Sequence, residues 1–118
     1  MDTDQAFKKF SEDEITLFGL SLVKLGEGLN INEGSTNKSN FARSIFRSRR
    51  TFLRKADDKT WVLLAWQTQA AAENAALNEL KLAPGTFLVY EFNREEFDEF
   101  YKIEQKRGCK LLLEIAEP

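Results

Sequence analysis

Two apolar runs stand out along the chain: Thr60–Trp66 (TWVLLAW) and Thr86–Phe92 (TFLVYEF). Both have strand length and are rich in aromatic and β-branched residues. Between them, Gln69–Leu82 is alanine-rich and long enough for a crossover helix, with Thr68 as its cap and Ala72, Ala75, Ala76 and Leu80 on its inner side. The pattern predicts a βαβ unit as the centre of the core. Pro84-Gly85 starts the second strand, and Asn93 with Glu96 has capping-box form. A helix follows, with Phe97, Phe100, Tyr101 and Ile103 on its apolar side, and Gly108 ends it before a last strand, Cys109–Ala116. Trp61, Leu63, Leu88, Leu111 and Leu113 are the expected core.

The first half is less regular. Met1–Phe10 reads as a frayed turn or short helix with Phe7 and Phe10 three apart. Ser11-Glu12-Asp13-Glu14 also has capping-box form and predicts a helix over Glu12–Leu25, closed by Lys24 and Gly26. A strand over Ile15–Val23 competes, because Gly19 and Ser21 suit a helix interior poorly. Gly26–Asn37 (GEGLNINEGSTN) reads as a loop, with residues 26–38 as a flexible internal segment. Ser39 caps a predicted helix from Asn40 whose apolar face is Phe41, Ala42, Ile45 and Phe46. A β-hairpin over 51–66 with its turn at Ala56–Lys59 comes next; the alternative is an unbroken helix to Lys55, since Phe52 and Leu53 extend the stripe.

The fold expectation is therefore one α+β domain, residues 1–118. A helical N-terminal part precedes a three- to four-stranded sheet with crossover helices, a β-hairpin followed by βαβαβ. Ten Phe must enter a core or an interface. No apolar run reaches membrane-spanning length, Met1 is followed by acidic residues, and there is one cysteine, Cys109, so a cytoplasmic location is expected.

The chain has no histidine. That removes imidazole bases, Ser-His and Cys-His pairs, and His ligation of zinc or haem. No cofactor or metal is expected, and no residue set identifies a reaction, so the reading leans away from an enzyme. Formal net charge is −2, but residues 43–59 form a basic island of net +5 between acidic flanks of net −3 and −4.

That island is the leading candidate site. Arg43, Arg47, Arg49, Arg50, Arg54 and Lys55 on a helix and hairpin suit an anionic partner, either nucleic acid or an acidic protein surface. A helix followed by a hairpin resembles a winged helix in architecture, although the twelve-residue loop 26–37 replaces that motif's short turn. The bland alternative is a solvated face paired with the acidic helix 94–107.

Thr51–Ala76 (TFLRKADDKTWVLLAWQTQAAAENAA) resembles the hairpin-then-helix portion of antibiotic-biosynthesis-monooxygenase-type domains, with Trp66 at the strand end. The resemblance covers under a quarter of the chain. It implies a ferredoxin-like, dimeric α+β barrel that binds a small molecule or acts as a cofactor-free oxygenase, with a pocket near Trp66 and Asn74. Without histidine, a haem ligand cannot be carried over. An inhibitor or immunity-type protein is a third class compatible with the size and charge. The acidic cluster Glu95, Glu96, Asp98, Glu99 and Glu104 fits helix-dipole stabilisation better than acid–base or cation chemistry, and Asp98–Lys102 has ion-pair spacing. Cys109 reads as a small packed thiol. The preferred function is a non-enzymatic binding or regulatory protein using residues 43–55.

Overall fold

A computed structural model describes residues 2–22 and 38–116, with the side chains of 38–40 not described. The elements are α1 (Thr3–Ser11), β1 (Leu17–Leu22), α2 (Lys38–Arg47), β2 (Leu53–Asp57), β3 (Thr60–Ala65), α3 (Gln69–Asn74), a π-helical turn (Ala75–Glu79), β4 (Phe87–Phe92), α4 (Arg94–Lys106) and β5 (Lys110–Ile115). This is an α+β fold. Among the described residues, no helix is long and apolar enough to cross a membrane.

Leu17–Leu22 is a strand, which corrects the helix expected over Glu12–Leu25. The Ser11–Glu14 signal belongs to the end of α1 rather than to a new start. Asp13 N–H donates to Phe10 O and Glu14 N–H to Lys9 O, with Asp13 in the left-handed conformation, which is a Schellman-type close. Asp2, accepting from Gln5 N–H, caps α1 at its other end. Lys24, Gly26 and the loop 26–37 lie outside the described residues.

The strand state follows from burial on both faces. Leu17 joins one apolar cluster, with Phe10, Phe46, Leu63, Phe92 and Phe100, while Leu20 joins another, with Trp66, Ala72, Ala75 and Ala76. Only an extended segment sends successive side chains to opposite sides in this way. β1 pairs antiparallel with β4, setting Gly19 opposite Tyr90. A Cβ on Gly19 would sit 2.6 Å from Tyr90 Cζ, so the ring lies directly on the glycine. The Tyr90 hydroxyl reaches Thr51 Oγ1 at 2.5 Å, and Thr51 donates its own proton to Leu20 O. Tyr90 is therefore the donor, and burial pushes its phenol well above the ordinary value of 10.0.

The hairpin forms as expected, β2 against β3 with a bulge between Lys55 and Asp57. The expected βαβ unit does not. β3 takes β5, not β4, as its parallel neighbour, giving the order β2-β3-β5, while β4 and β1 make a separate ladder. A single four-stranded ferredoxin-like sheet is thus not formed. β1 instead crosses the open end of the hairpin. Phe18 exchanges backbone hydrogen bonds with Trp66, Phe52 N–H donates to Leu20 O, and Leu22 N–H donates to Arg50 O.

The helices close the two clusters. Thr68 caps α3 as expected, and Ala72, Ala75 and Ala76 let this segment lie close on the β1/β4 side. Phe46 of α2 stacks on Phe100 of α4 at 4.6 Å and meets Tyr90 and Phe92 edge-on at 5.6 Å. Asn93 and Glu96 form the capping box of α4. Nine of the ten Phe lie in or against the two clusters, and Phe7 is 50% exposed. Of the expected core, Leu63 and Leu111 are buried, Trp61 and Leu113 are partly buried against it, and Leu88 is half-buried. Leu63 is fully enclosed, so Leu63→Ala is expected to cost about 2–5 kcal/mol through lost burial and a cavity. A urea unfolding midpoint that barely moves would remove β3 from the core.

Candidate functional site

The basic island is drawn into ion pairs. Arg43 Nε lies 2.5 Å from Glu99 Oε2, and its Nη2 is 3.9 Å from Glu95. Arg54 meets Glu114 at 3.2 Å across the hairpin sheet, and Lys55 reaches Asp58 at 3.8 Å. Arg50, at the junction with β1, is half-buried, and Arg47 is exposed on α2. The structure therefore gives much of the island to carboxylates of its own chain, several of them on α4.

Arg49 is the most constrained member. Its backbone is left-handed (φ 53°) at the Schellman close of α2, where Arg49 N–H donates to Phe46 O and Arg50 N–H to Ile45 O. Glycine normally fills this position because other residues are strained there by about 1–2 kcal/mol. The arginine side chain lies 5.4 Å from the Trp61 ring centre and 2.8 Å from Glu104 Oε1. Glu104 is fully buried, with Arg107 Nη1 at 3.9 Å from the same oxygen. The Arg49 contact is an ion pair rather than an aligned hydrogen bond. Neither oxygen of Glu104 has a hydrogen-bond partner among the described residues.

Glu96 is the second buried carboxylate. One oxygen accepts the Asn93 N–H at 2.8 Å and the other, Oε2, has no hydrogen-bond partner among the described residues. Burial pushes its carboxyl above the ordinary 4.5, against the pull of the Asn93 amide and Arg43.

α2 and α4 enclose a groove of about 210 Å³. Phe46, Phe100 and Ile103 form its floor, Glu96 and Glu99 lie along it, and Arg43, Arg47, Lys102 and Lys106 stand at its rim. Arg43 and Arg47 are one helical turn apart on α2, and Lys102 and Lys106 are one turn apart on α4. With Glu99 held by Arg43, Arg47, Lys102 and Lys106 supply excess positive charge here. From the sequence, Lys102 was expected only as an ion-pair partner of Asp98, and Lys106 was not singled out. Their four-residue spacing was legible, but their place beside α2 depends on the Phe46–Phe100 packing.

The other singled-out residues are placed differently. Trp66 is buried among Leu20, Ala72, Ala75 and Ala76, and exposed Asn74 accepts from Asn78 Nδ2. Neither lines the groove between α2 and α4. Asp98 pairs with Arg94 at 3.2 Å rather than with Lys102, and Tyr101, expected on the apolar side of α4, is 39% exposed. Cys109 is half-exposed. Among the described residues, no His/Cys/Asp/Glu group could hold a metal ion. A second groove, about 300 Å³, lies between α1, α4 and β5 and is lined by Phe7, Phe10, Phe97, Tyr101 and Leu113, with Arg94 paired to Asp98 at its edge. Arg94 also donates to Ser11 O, joining α4 to the end of α1.

Compared with protein-family models, curated proteins and solved structures, the chain matches none.

Arg49→Met keeps the strained backbone and the aliphatic stem but leaves buried Glu104 with only the more distant Arg107. Because the Arg49 side chain is 34% exposed, the expected loss is about 1–3 kcal/mol, the cost of leaving a buried acceptor poorly answered, and Glu104→Leu in the same chain should recover much of it. Urea unfolding of both variants checks this. For Glu96, a raised folded-state pKa means stability that is present below pH 4.5 and falls as pH rises through the folded value. Glu96→Gln retains the capping geometry without the charge. Melting temperatures of variant and wild type should agree near pH 3.5, and the variant should melt higher at pH 7.

Proposed function

We propose that this protein is a non-enzymatic binding protein that takes an acidic segment of a protein partner into the groove between α2 and α4. The observation that carries this reading is the pair of one-turn cation ridges, Arg43/Arg47 and Lys102/Lys106, bordering one groove over an aromatic floor. Arg43 has its guanidinium oriented by Glu99, and the exposed Arg47, Lys102 and Lys106 supply charge that an incoming carboxylate would neutralise. An aromatic floor with charged walls suits a peptide that brings both apolar and acidic side chains.

A protein partner is favoured over nucleic acid for two reasons. Nucleic-acid affinity rests on many free cations along the phosphate path. Here Arg49 and Arg54 are committed to Glu104 and Glu114, exposed Glu95 borders Arg43, and the chain is net −2. The original island thus contributes through Arg43 and Arg47, completed by two lysines far away in sequence.

Fluorescence anisotropy with a labelled peptide of alternating Glu and Leu, beside a labelled DNA duplex, tests the reading. The peptide should bind with an affinity that falls with salt. Arg47→Ala/Lys102→Ala/Lys106→Ala together should weaken it more than tenfold while leaving the melting temperature nearly unchanged, since exposed charges contribute little to folding. Equal peptide affinity in the triple variant would end the proposal, as would a duplex bound more tightly with a salt slope of several ions.

A further inference from the structure

Among the described residues, β5 is hydrogen-bonded to a strand on one side only. Lys110 N–H donates to Lys59 O and Ala116 N–H to Ala65 O, so the even-numbered residues of this strand turn their backbone groups toward β3. Alternation then sends the N–H and C=O groups of Leu111, Leu113 and Ile115 to the other edge, where no strand pairs with them among the described residues. The edge is six residues long and apolar at four of them, Leu111, Leu112, Leu113 and Ile115. Such an edge is a template for another strand.

The side chains specify which strand. Leu111, Leu113 and Ile115 face the core, while Lys110, Leu112 and Glu114 share the opposite face, where Leu112 is 42% exposed. A second β5 running antiparallel about a two-fold axis at Leu112 sets Leu112 against its own copy. The same register sets Lys110 of each copy opposite Glu114 of the other, whose Oε1 meets Arg54 of its own chain at 3.2 Å. Leu111 then meets Leu113 of the other copy, and these two residues are the ones whose backbone groups point outward. Charge complementarity, matching side-chain faces and hydrogen-bonding geometry thus coincide in one register.

Apolar surface lies beside the same edge. Phe7, the one Phe outside both clusters, is 50% exposed and Tyr101 39% exposed, and both line the groove that Leu113 also lines. A two-fold axis perpendicular to the sheet puts the helices of both copies on the same face, so these grooves adjoin across the junction. We infer that the protein self-associates as a two-fold dimer through β5, with a continuous six-stranded sheet β2-β3-β5-β5-β3-β2. A second copy satisfies the open edge of each β5 with the same residues that it offers. The surface is separate from the groove between α2 and α4, so the two proposals stand or fall independently.

Sedimentation equilibrium between about 1 and 300 μM tests the dimer, with amide hydrogen exchange at both ends of that range. Expected is a mass twice the 13.6 kDa of one chain, with Leu111 and Leu113 amides more protected at high concentration. Leu112→Lys places two like charges at the axis and should weaken dimerisation more than tenfold, leaving the circular dichroism spectrum unchanged. Lys110→Glu alone should weaken it, and Lys110→Glu with Glu114→Lys should restore it by exchanging the partners. A monomer at every concentration would overturn the inference and leave the edge to a strand from another protein. Mass growing without limit would overturn the two-fold register. A dimer indifferent to Leu112→Lys would place the interface elsewhere.

Discussion

One side chain ties together parts of the structure that are far apart in sequence. Tyr90 leaves β4, presses the hydroxyl end of its ring against Gly19 of β1 and gives its proton to Thr51 at the entrance to β2, while its ring meets Phe46 of α2 edge-on. A buried hydroxyl without a partner is costly, so Thr51 must be where it is for Tyr90 to be buried. Thr51 in turn donates to Leu20 O, which also receives Phe52 N–H. The β1–β4 ladder is thereby held to the hairpin at a defined height, with the glycine providing the space.

Charge is arranged by a similar logic. The molecule buries two carboxylates on α4, one answered by a capping amide and the other by an arginine held in a strained backbone. Burying an ion pair adds little net stability, but it penalises any packing that separates the partners. Glu104 under Arg49 therefore fixes where α2 ends relative to α4. Arg43 with Glu99 fixes the same two helices further along, and the groove between them inherits its shape from both contacts. Among the described residues, Arg47, Lys102 and Lys106 at the rim are exposed and pair with no carboxylate, which is why the proposal rests on them.

The two surfaces proposed for partners differ in kind. The groove between α2 and α4 presents charge over a small aromatic floor, suited to a partner whose attraction depends on salt. The β5 edge presents backbone hydrogen-bonding groups and leucines, where register and shape matter more than charge. The two proposals taken together describe a small dimeric adaptor built from one cationic groove and one self-complementary strand.

Local signals were legible wherever the physics was local. Thr68 and Asn93-Glu96 cap helices because their side chains reach amides within one turn, and the hairpin, α2, α4 and β5 follow from apolar period and turn residues that act over a few positions. The charge and histidine content narrowed the chemistry without any structure. What the sequence could not decide was pairing between segments far apart. Ser11–Glu14 resembles a helix start but closes α1, because a Schellman turn and a capping box draw on the same polar residues. Leu17–Leu22 is a strand because two separate clusters take its two faces, and β3 pairs with β5 because β4 is held by β1. The basic island was visible as composition, but which arginines are drawn into ion pairs depended on carboxylates some fifty residues away that only helix packing brings within reach.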